Sequence, residues 1–277
     1  MNRMERVKRN VRMAIISQQL TSTPNQIHTL NEFALLFDAA KSTISEDISL
    51  LTEAFKQYGA GIIETVPGAA GGVVYRALSN NQSMQETVDQ LCAYLNEPDR
   101  ILPGGFLYTS DISSDPQFAT RIGEIFATRF AAQHPDIVLT METKGIPLAL
   151  MTAKQLGIPL VIARRDSKAY EGSAVKINYV AGRRDGTQVD TMTLERRAIA
   201  AGQRILIIDD FAKNGGTITG MAELANEFEA TVIGVGVMVA AKELDLRINC
   251  DVCALACMHE LDYSRRIVAV EGLHFES

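Results

Sequence analysis

The hydrophobic residues at the start of the chain follow a helical period. At 100° per residue, one side of a predicted first helix carries Met4, Val7, Val11, Ala14 and Ile15. The other side carries Arg6, Lys8, Arg9 and Arg12. We therefore expect a helix with one packed apolar face and one exposed positive face.

Residues 29–55 contain two short helical patterns separated by a small polar break. The second has an apolar stripe at helical spacing, formed by Ile44, Ile48, Leu51 and Phe55. Thr43 and Glu46 have the spacing of a capping box, which predicts a helix start at Thr43. Short polar or basic side chains at such an entrance suit phosphates and base edges. The candidates here are Lys41, Ser42, Thr43 and Ser45.

Two apolar segments, GIIETV and GVVYRAL, then flank the Gly-rich sequence PGAAG, which predicts a β-hairpin. The order helix, helix, helix, hairpin is typical of a winged-helix domain. A small helical core without a ligand is the alternative, and the positive first helix favours DNA binding. Its candidate DNA-binding residues are Arg3, Arg6, Lys8, Arg9 and Arg12.

The pattern changes after the polar segment SNNQS at residues 79–83. A helical pattern follows, and from about residue 100 short apolar segments alternate with longer helical ones. The apolar segments are DIVLT, PLVIA, RILIID, TVIGVGVMVA and DVCALAC. This alternation predicts an α/β fold with a central, mostly parallel sheet flanked by helices. We expect an N-terminal winged-helix domain over 1–78 and an α/β domain over 79–277.

The composition fits two unequal globular domains, with 277 residues of which 47% are hydrophobic and 22% charged. No segment approaches the roughly 20 apolar residues that a membrane-spanning helix needs, and no secretory signal is predicted. A soluble, cytoplasmic protein without a membrane partner is expected. The net charge of −6 argues mildly against nucleic acid, but the basic residues of the opening segment are accompanied by a single acid, Glu5.

Three cysteines, Cys250, Cys253 and Cys257, lie near His259 in the segment NCDVCALACMH. Strand alternation would place Cys250 on the face opposite the others, and no second cysteine pair completes four ligands. We expect small core residues and no metal site.

The most specific motif spans residues 204–228, RILIIDDFAKNGGTITGMAELANEF. It combines a buried strand, two carboxylates, a Gly-containing loop and an amphipathic helix. Gly215, Gly216 and Thr217 predict a phosphate-binding turn at a helix N-terminus. Asp209 and Asp210 are acceptors suited to the vicinal hydroxyls of a ribose. The spacing fits neither a Walker loop nor a dinucleotide-binding loop. A metal bound by the carboxylates alone, or a helix cap, would not explain the whole order.

Residues 204–220 resemble the phosphoribosyl pyrophosphate motif of type I phosphoribosyltransferases. The resemblance implies that Asp209 and Asp210 hold the ribose hydroxyls. It implies that the 5′-phosphate is held by Ala212, Lys213, Asn214, Gly215, Gly216 and Thr217. The segment DIVLTMETKGIPLA resembles the pyrophosphate loop of that family, where Thr143, Lys144 and Gly145 form the turn. A cis peptide bond not involving proline is implied in this loop.

Other segments resemble further parts of the same family. Arg164, Arg165 and Lys168 follow the strand PLVIA as candidate cations for phosphate groups, or as a solvent-exposed turn. LPGGFLYTSDI resembles the segment that covers the base, and 166–191 resembles the flexible loop. Tyr108 or Phe211 could stack on a purine, although Tyr108 could equally be an ordinary buried aromatic residue.

Taken whole, the chain resembles the purine repressors of Gram-positive bacteria. The resemblance implies a homodimer that binds double-stranded operator DNA, and phosphoribosyl pyrophosphate as effector, with Mg²⁺ as a candidate companion and purine nucleotides as candidate competitors. Phe211, Lys213 and Asn214 depart from the usual enzyme loop and favour binding without turnover, with no tightly bound cofactor. The main alternative is an active purine phosphoribosyltransferase, of the xanthine type, with an N-terminal extension. A second domain that serves only as a dimerisation scaffold is the third.

Overall fold

The computed structural model describes residues 7–68, 71–104, 106–165, 173–183, 186–244, 246 and 248–275, without the side chains of 181–183 and 186–188. Arg3, Arg6 and Lys168, three of the candidate ligand-binding cations, lie outside the described residues. The chain forms two compact units, Met1–Asn80 with Lys154–Gly157, and Asn81–Ala153 with Ile158–Ser277.

The first unit has the predicted order of three helices and a hairpin. Its elements are α1 (Arg9–Ser22), α2 (Leu30–Phe37), α3 (Lys41–Tyr58), β1 (Ile62–Val66) and β2 (Gly72–Arg76). The strands pair antiparallel from Ile62 opposite Arg76 to Val66 opposite Gly72. A backbone bridge between His28 and Val73 extends this sheet beyond the hairpin.

The prediction for the faces of α1 is wrong at Val11, Ala14, Ile15 and Arg12, whereas Val7 packs against the core and Lys8 and Arg9 are exposed as expected. Val11 and Ile15, expected to pack, are 43% and 37% exposed, whereas Ile16 and Leu20 are completely buried. Arg12 is four residues before Ile16 and therefore shares the buried side of the helix. Its side chain is 7% exposed, so Arg12 is not a DNA-contacting residue on this surface.

A buried carboxylate on α3 explains why Arg12 can lie in the core. The Asp47 side chain is 1% exposed and accepts one hydrogen bond on each oxygen. Arg12 Nε donates to Oδ2 at 2.7 Å, and Arg9 Nε donates to Oδ1 at 2.9 Å. A buried charge is tolerated when it is paired and hydrogen-bonded, so these contacts connect α1 to α3. The positive face of α1 is therefore smaller than expected, because Arg9 and Arg12 both donate hydrogen bonds to Asp47.

The apolar stripe of α3 is confirmed and its predicted start is wrong. Ile44, Ile48 and Leu51 are buried in the core of the first unit, and Phe55 packs against it. The helix begins at Lys41, after Ala40, and Thr43 makes no capping hydrogen bond because it already lies in the first turn. The sequence pattern predicted the buried face of α3 correctly, but not the residue at which the helix begins.

The second unit alternates strands and helices as predicted from about residue 100. Its elements are α4 (Asn81–Leu95), β3 (Ile101–Leu102), β4 (Phe106–Leu107), α5 (Ser110–Ser114), α6 (Pro116–Phe130), β5 (Ile137–Met141), α7 (Ile146–Leu156), β6 (Leu160–Ala163), β7 (Ala174–Arg183), β8 (Gly186–Glu195), β9 (Arg204–Ala212), α8 (Gly216–Glu227), β10 (Thr231–Ala241), β11 (Asp251–Asp262) and β12 (Ile267–Gly272). All five predicted strands are present.

The central sheet has the strand order β12-β11-β10-β9-β5-β6. Pairing is parallel throughout except between β11 and β12. Helix α8 packs on one face through Ile218, Met221 and Leu224. On the other face, Phe126 and Phe130 of α6 approach β10 where glycines leave room for the rings. The predicted mostly parallel sheet with flanking helices is confirmed.

The polar segment expected to be a flexible loop is largely a β-hairpin. Strands β7 and β8 pair antiparallel from Ala174 opposite Glu195 to Arg183 opposite Gly186. Tyr179, Met192 and Leu194 of this hairpin are buried in the same core as α8. The alternating apolar positions in Val175, Ile177 and Tyr179 carried this signal, but the many polar residues between them concealed it.

The cysteines behave as core residues. Cys253 is buried, and Cys250 and Cys257 are partly buried. Burial raises the pKa of Cys253 to about 11, which keeps its thiol protonated. Within the described ranges, no group of three or more His, Cys, Asp or Glu side chains could hold a metal ion.

Replacing Asp47 by Asn should destabilise the protein by about 3 kcal/mol, because it leaves two arginines around a group that no longer balances their charge. Denaturant unfolding of the full chain, followed by circular dichroism, measures the change. Glu46→Gln on the exposed side of the same helix is the matched control and should cost under about 0.5 kcal/mol. Equal effects of the two substitutions would show that the Asp47 ion pairs do not stabilise the fold.

Candidate functional site

The site lies where the chain reverses its direction of travel across the sheet. From β5 the chain proceeds to β6 on one side, and then returns to β9 on the other side of β5. Pairing between β5 and β9 ends at Leu139 and Ile207, so the two strands are free to diverge beyond these residues. Ligands of open α/β sheets bind in the crevice at the carboxyl ends of such strands.

Asp209 and Asp210 occupy this crevice at the end of β9. They are only 6% and 7% exposed, and the Asp210 N–H donates to Asp209 Oδ1 at 2.9 Å. Burial raises the pKa of Asp209 well above its ordinary range, and the adjacent Asp210 charge raises it further. Burial also raises the pKa of Asp210, although the Lys144 charge acts in the opposite direction. The two carboxyls are therefore costly to ionise together.

The loop after β9 leads directly into a helix N-terminus. Gly215 precedes α8 with φ 75°, a left-handed conformation that favours glycine. The first N–H groups of α8 have no partners within the helix and can serve as anion donors. A cleft of about 130 Å³ is formed there by the loop Ala212–Thr217 with Asp209, Phe211 and Ile218. The predicted phosphate loop therefore has the geometry of an anion site.

A second turn approaches the carboxylates from β5. The peptide bond between Glu142 and Thr143 is cis, as the resemblance implied. Gly145 lies so close to the acids that an added Cβ would be 2.8 Å from Asp209 Oδ1. A side chain at 145 would therefore press against the Thr140 hydroxyl and the Asp209 carboxylate. The buried Thr140 hydroxyl below this turn has no hydrogen-bond partner among the described residues.

The two turns enclose a main cleft of about 380 Å³. Seven of the predicted ligand residues line it: Thr143, Lys144, Arg165, Asp209, Asp210, Phe211 and Thr217. Phe211 and Thr217 also line the smaller cleft, so the two share a boundary. Tyr108, at 41% exposure after β4, lines neither cleft, and its contact with a purine stays a prediction.

Glu142 was not predicted from the sequence as a residue of the site. Glu142 lines the main cleft, and its Oε1 accepts a hydrogen bond from the Arg165 N–H at 2.9 Å. Arg164 exchanges backbone hydrogen bonds with Thr193 of β8, which fixes the start of the Arg165 turn. Glu142 immediately precedes the predicted turn and could have been included on position alone.

The first unit offers a groove between α3 and the hairpin. Its volume is about 840 Å³, and its lining includes Lys41, Ser45, Ser49, Thr65 and Gly68. Lys8, Lys41 and Ser42 are exposed, and Thr43 is partly exposed. Arg9 is half-exposed, because one of its nitrogens is bound to Asp47. Lys41, Ser42, Thr43 and Ser45 form the polar start of α3, and Lys8 and Arg9 add positive charge at the start of α1.

Comparison with known proteins covers both units. Residues 8–77 match the family described as bacterial purine repressor, N-terminal, and residues 109–260 match the phosphoribosyl transferase domain. The purine biosynthesis transcriptional repressor PurR of Bacillus subtilis is 40% identical over 268 residues, which cover 97% of this chain and 93% of the relative. The chain belongs to the bacterial purine repressor family.

Members of this purine repressor family differ in the direction of control that their names state. A purine biosynthesis transcriptional activator PurR from Lactococcus lactis subsp. lactis is 37% identical over 265 residues, covering 96% of this chain and 97% of the relative. Among solved structures, adenine phosphoribosyltransferase from Thermoanaerobacter pseudethanolicus superposes with a TM-score of 0.53 at 22% identity. That match covers 61% of this chain and 98% of the enzyme, and shows a shared fold.

A helix that crosses a bilayer must be both long and strongly apolar. No helix within the described ranges meets both conditions.

Asp209→Asn should stabilise the ligand-free protein by about 1 kcal/mol at neutral pH. A carboxyl whose pKa is higher in the folded chain favours folding at low pH, and this contribution is lost as the pH rises through the folded-state pKa. Asn keeps the Oδ1 acceptor for the Asp210 N–H and cannot ionise. The gain should therefore disappear as the pH falls to about 4, where the unfolded carboxyl is protonated.

Thermal unfolding between about pH 4 and pH 8 measures this difference. The matched control is Glu223→Gln on the exposed surface of α8, which should leave the pH dependence unchanged. A destabilised Asp209→Asn protein at neutral pH would contradict the stated cost of the buried pair.

Proposed function

We propose that this chain is a DNA-binding regulator of purine biosynthesis genes, and that phosphoribosyl pyrophosphate controls its binding to operator DNA. The effector would occupy the cleft of the second unit without being turned over. The observation that carries this proposal is the pair of buried carboxyls, Asp209 and Asp210, beside the N-terminus of α8 in one crevice.

The chemistry of the crevice matches the parts of the effector. The N–H groups at the start of α8 and the Thr217 hydroxyl would hold the 5′-phosphate. The ionised forms of Asp209 and Asp210 would accept hydrogen bonds from the vicinal ribose hydroxyls. Lys144 already acts electrostatically on Asp210 and would remain near the diphosphate, together with Arg165. Mg²⁺ would enter bound to the diphosphate oxygens and add positive charge beside the acids.

Binding without turnover is supported by the composition of the loop. Phe211 borders both clefts, so a bulky ring lies where a base would approach the ribose. Lys213 is exposed on the phosphate loop and adds a fixed positive charge that would strengthen phosphate binding. A transferase gains from interactions that strengthen in the transition state, whereas a sensor needs only tight binding of the intact effector.

DNA binding is supported by the first unit. Helix α3 would enter a major groove with Lys41, Ser42, Thr43 and Ser45 at its start, and the hairpin would follow the adjacent backbone. Lys8 and Arg9 would contact phosphates from α1. One such unit has a small contact area, so a homodimer bound to two half-sites of double-stranded operator DNA is proposed. We place this activity in the cytoplasm.

The coupling between the two ligands follows from linkage. If the effector binds the DNA-free protein better than the DNA-bound protein, it must lower operator affinity by the same factor. Purine nucleotides that carry a phosphate and a ribose would compete for the crevice, and their effect on DNA binding depends on which state they favour.

An active purine phosphoribosyltransferase is the second candidate, because residues 109–260 match the transferase domain. In that case Asp209 and Asp210 would orient the ribose while a base nitrogen displaces pyrophosphate. Phe211 argues against it, and assay of the product decides between the two.

Phosphoribosyl pyrophosphate should weaken binding to purine-operon DNA at least tenfold when it exceeds its dissociation constant about 100-fold, and no pyrophosphate should be released with xanthine, guanine, hypoxanthine or adenine. Fluorescence anisotropy measures the DNA affinity, and a coupled pyrophosphate assay measures turnover on the same preparation. Release at about 1 s⁻¹ or faster would establish the enzyme. Operator affinity indifferent to the effector would refute the sensor.

Asp209→Ala combined with Asp210→Ala should abolish the effector response and leave operator affinity unchanged, because the lost contacts belong to the ligand crevice. Titration calorimetry and anisotropy measure the two properties separately. Lys41→Gln is the reciprocal variant, expected to weaken DNA binding and reduce the salt slope by about one unit while effector affinity stays constant. If the double variant loses DNA binding, the proposed separation of the two sites is wrong.

A further inference from the structure

Thr140 is a polar residue inside a completely buried strand. All five residues of β5, Ile137–Met141, are buried, and the other four are apolar. Thr140 itself is 0% exposed, and its register partner on β6 is Ile162. Valine has the same shape and would fill this position without burying a hydroxyl. The hydroxyl of Thr140 therefore needs a physical reason.

The Thr140 hydroxyl is not used by the fold. Among the described residues, Thr140 Oγ1 has no hydrogen-bond partner. Two other buried threonines of this unit are paired in the ordinary way. The Thr152 hydroxyl donates to the Leu148 carbonyl at 2.8 Å, and the Thr193 hydroxyl donates to the Arg164 carbonyl at 3.1 Å. A buried hydroxyl without a partner destabilises the folded chain, so Thr140 is unfavourable for the fold alone.

The Thr140 hydroxyl lies beside one of the two acids of the crevice. A Cβ added at Gly145 would be 2.6 Å from Thr140 Oγ1 and 2.8 Å from Asp209 Oδ1. One point therefore contacts both oxygens, so the hydroxyl and the carboxyl are neighbours beside Gly145. The pairing of β5 with β9 ends at Leu139 opposite Ile207, and Thr140 and Asp209 both follow this last pair. No backbone ladder separates their side chains.

Asp209 is a carboxyl for which an additional donor matters. Its Oδ1 accepts a hydrogen bond from the Asp210 N–H at 2.9 Å. Burial raises the pKa of Asp209 well above its ordinary range, so ionisation of this group is costly. A carboxylate oxygen can accept more than one hydrogen bond, and each donor to the ionised form lowers that cost.

We propose that Thr140 is a positioning residue of the effector site, whose hydroxyl donates to Asp209 Oδ1 when the ionised carboxylate accepts the ribose hydroxyls. This inference rests on the proposed function, since it concerns the ribose contacts of the same crevice. The bond is not formed in the present structure, and a rotation of the Thr140 or Asp209 side chain brings the two groups together.

The new bond would satisfy two groups at once. The ionised Asp209 gains a donor on the side that faces the protein, and a hydrogen bond to a charged acceptor is stronger than one between neutral groups. The Thr140 hydroxyl gains the acceptor that it lacks. Both gains belong to the state with bound ribose, so the hydroxyl increases ligand affinity although it destabilises the fold without ligand.

The inference is tested with ribose 5-phosphate and with inorganic pyrophosphate, which represent the two ends of the effector. Titration calorimetry and thermal unfolding of the full chain compare the parent with two variants. Thr140→Val removes the hydroxyl and keeps the shape, whereas Thr140→Ser keeps the hydroxyl. Thr152→Val is the matched control, because Thr152 is equally buried in the same unit and its hydroxyl is paired with the Leu148 carbonyl.

Thr140→Val should weaken ribose 5-phosphate about 3- to 10-fold, the usual effect of one buried hydrogen bond. Pyrophosphate affinity should change by less than about twofold, because its proposed contacts are Lys144 and Arg165 and not Asp209. Without ligand, Thr140→Val should melt about 2 °C higher than the parent, because an unpaired buried hydroxyl is removed.

The other two variants separate the hydroxyl from the shape of the side chain. Thr140→Ser should bind ribose 5-phosphate within about twofold of the parent, because it retains the proposed donor. Thr152→Val should melt at a lower temperature than the parent, since it loses a formed hydrogen bond, and should bind both ligands as the parent does. Higher thermal stability combined with weaker ribose binding is therefore specific to the loss of the Thr140 hydroxyl.

Four results would overturn the inference. Thr140→Val could bind ribose 5-phosphate as the parent does, or lose affinity equally for both ligands, which would mean that the hydroxyl supports the turn after β5 as a whole. It could melt at a lower temperature, which would mean that the hydroxyl is already paired within the fold. Thr140→Ser could fail to restore binding. A parent protein that binds neither ribose 5-phosphate nor phosphoribosyl pyrophosphate would refute the proposed function as well, so the two failures are distinguishable.

Discussion

The burial of two adjacent carboxyls at the end of β9 is the constraint on which the second unit depends. Asp209 and Asp210 have no arginine or lysine bonded to them among the described residues, and their pKa values rise because water is excluded. An arrangement that served only the fold would place apolar residues at such positions. This free-energy cost of burial can be offset where the carboxyls face a crevice, since a ligand with hydroxyl donors can then hydrogen-bond to them. Two neighbouring elements border the crevice around these carboxyls. They are the close turn at Gly145 and the helix N-terminus after Gly215.

The first unit treats a buried acid in the opposite way. Asp47 is as buried as Asp209, but both of its oxygens receive an arginine, and its charge is balanced within the protein. Asp47 fixes the positions of two helices, whereas a ligand contact for Asp209 and Asp210 is what the proposed function supplies. Asp47 also lowers the number of cations that α1 can offer to DNA, because Arg12 is fully committed to Asp47 and Arg9 partly so. The polar start of α3 consequently carries more of the proposed DNA contact than the sequence indicated.

Features that depend on local sequence patterns could be predicted, whereas features that depend on residues far apart in the chain could not. The strands around RILIID and the loop at Gly215 were predictable, because strand periodicity and glycine conformation are local properties. The faces of α1 were not, since whether Arg12 or Val11 is buried depends on an aspartate 35 residues away. The hairpin of β7 and β8 was missed because its polar residues face solvent on one side, and only the core contact of Tyr179 and Met192 identifies the buried side. Most residues of the crevice could be named in advance, but Glu142 and its hydrogen bond to the Arg165 N–H could not.

If the second unit binds its effector without turnover, as proposed, the hairpin of β7 and β8 offers a physical reason. A transferase must close over its substrates and then open to release products. Here the described part of the segment after β6 packs against α8, and the Tyr179 ring lies against Gly220 of this helix, which follows the proposed phosphate loop. Preorganisation of this kind lowers the entropy cost of binding and contributes equally to the ground state and to a transition state. Such uniform binding favours a sensor, whose output is the fraction of sites occupied, over an enzyme, whose output is the rate at which sites are emptied.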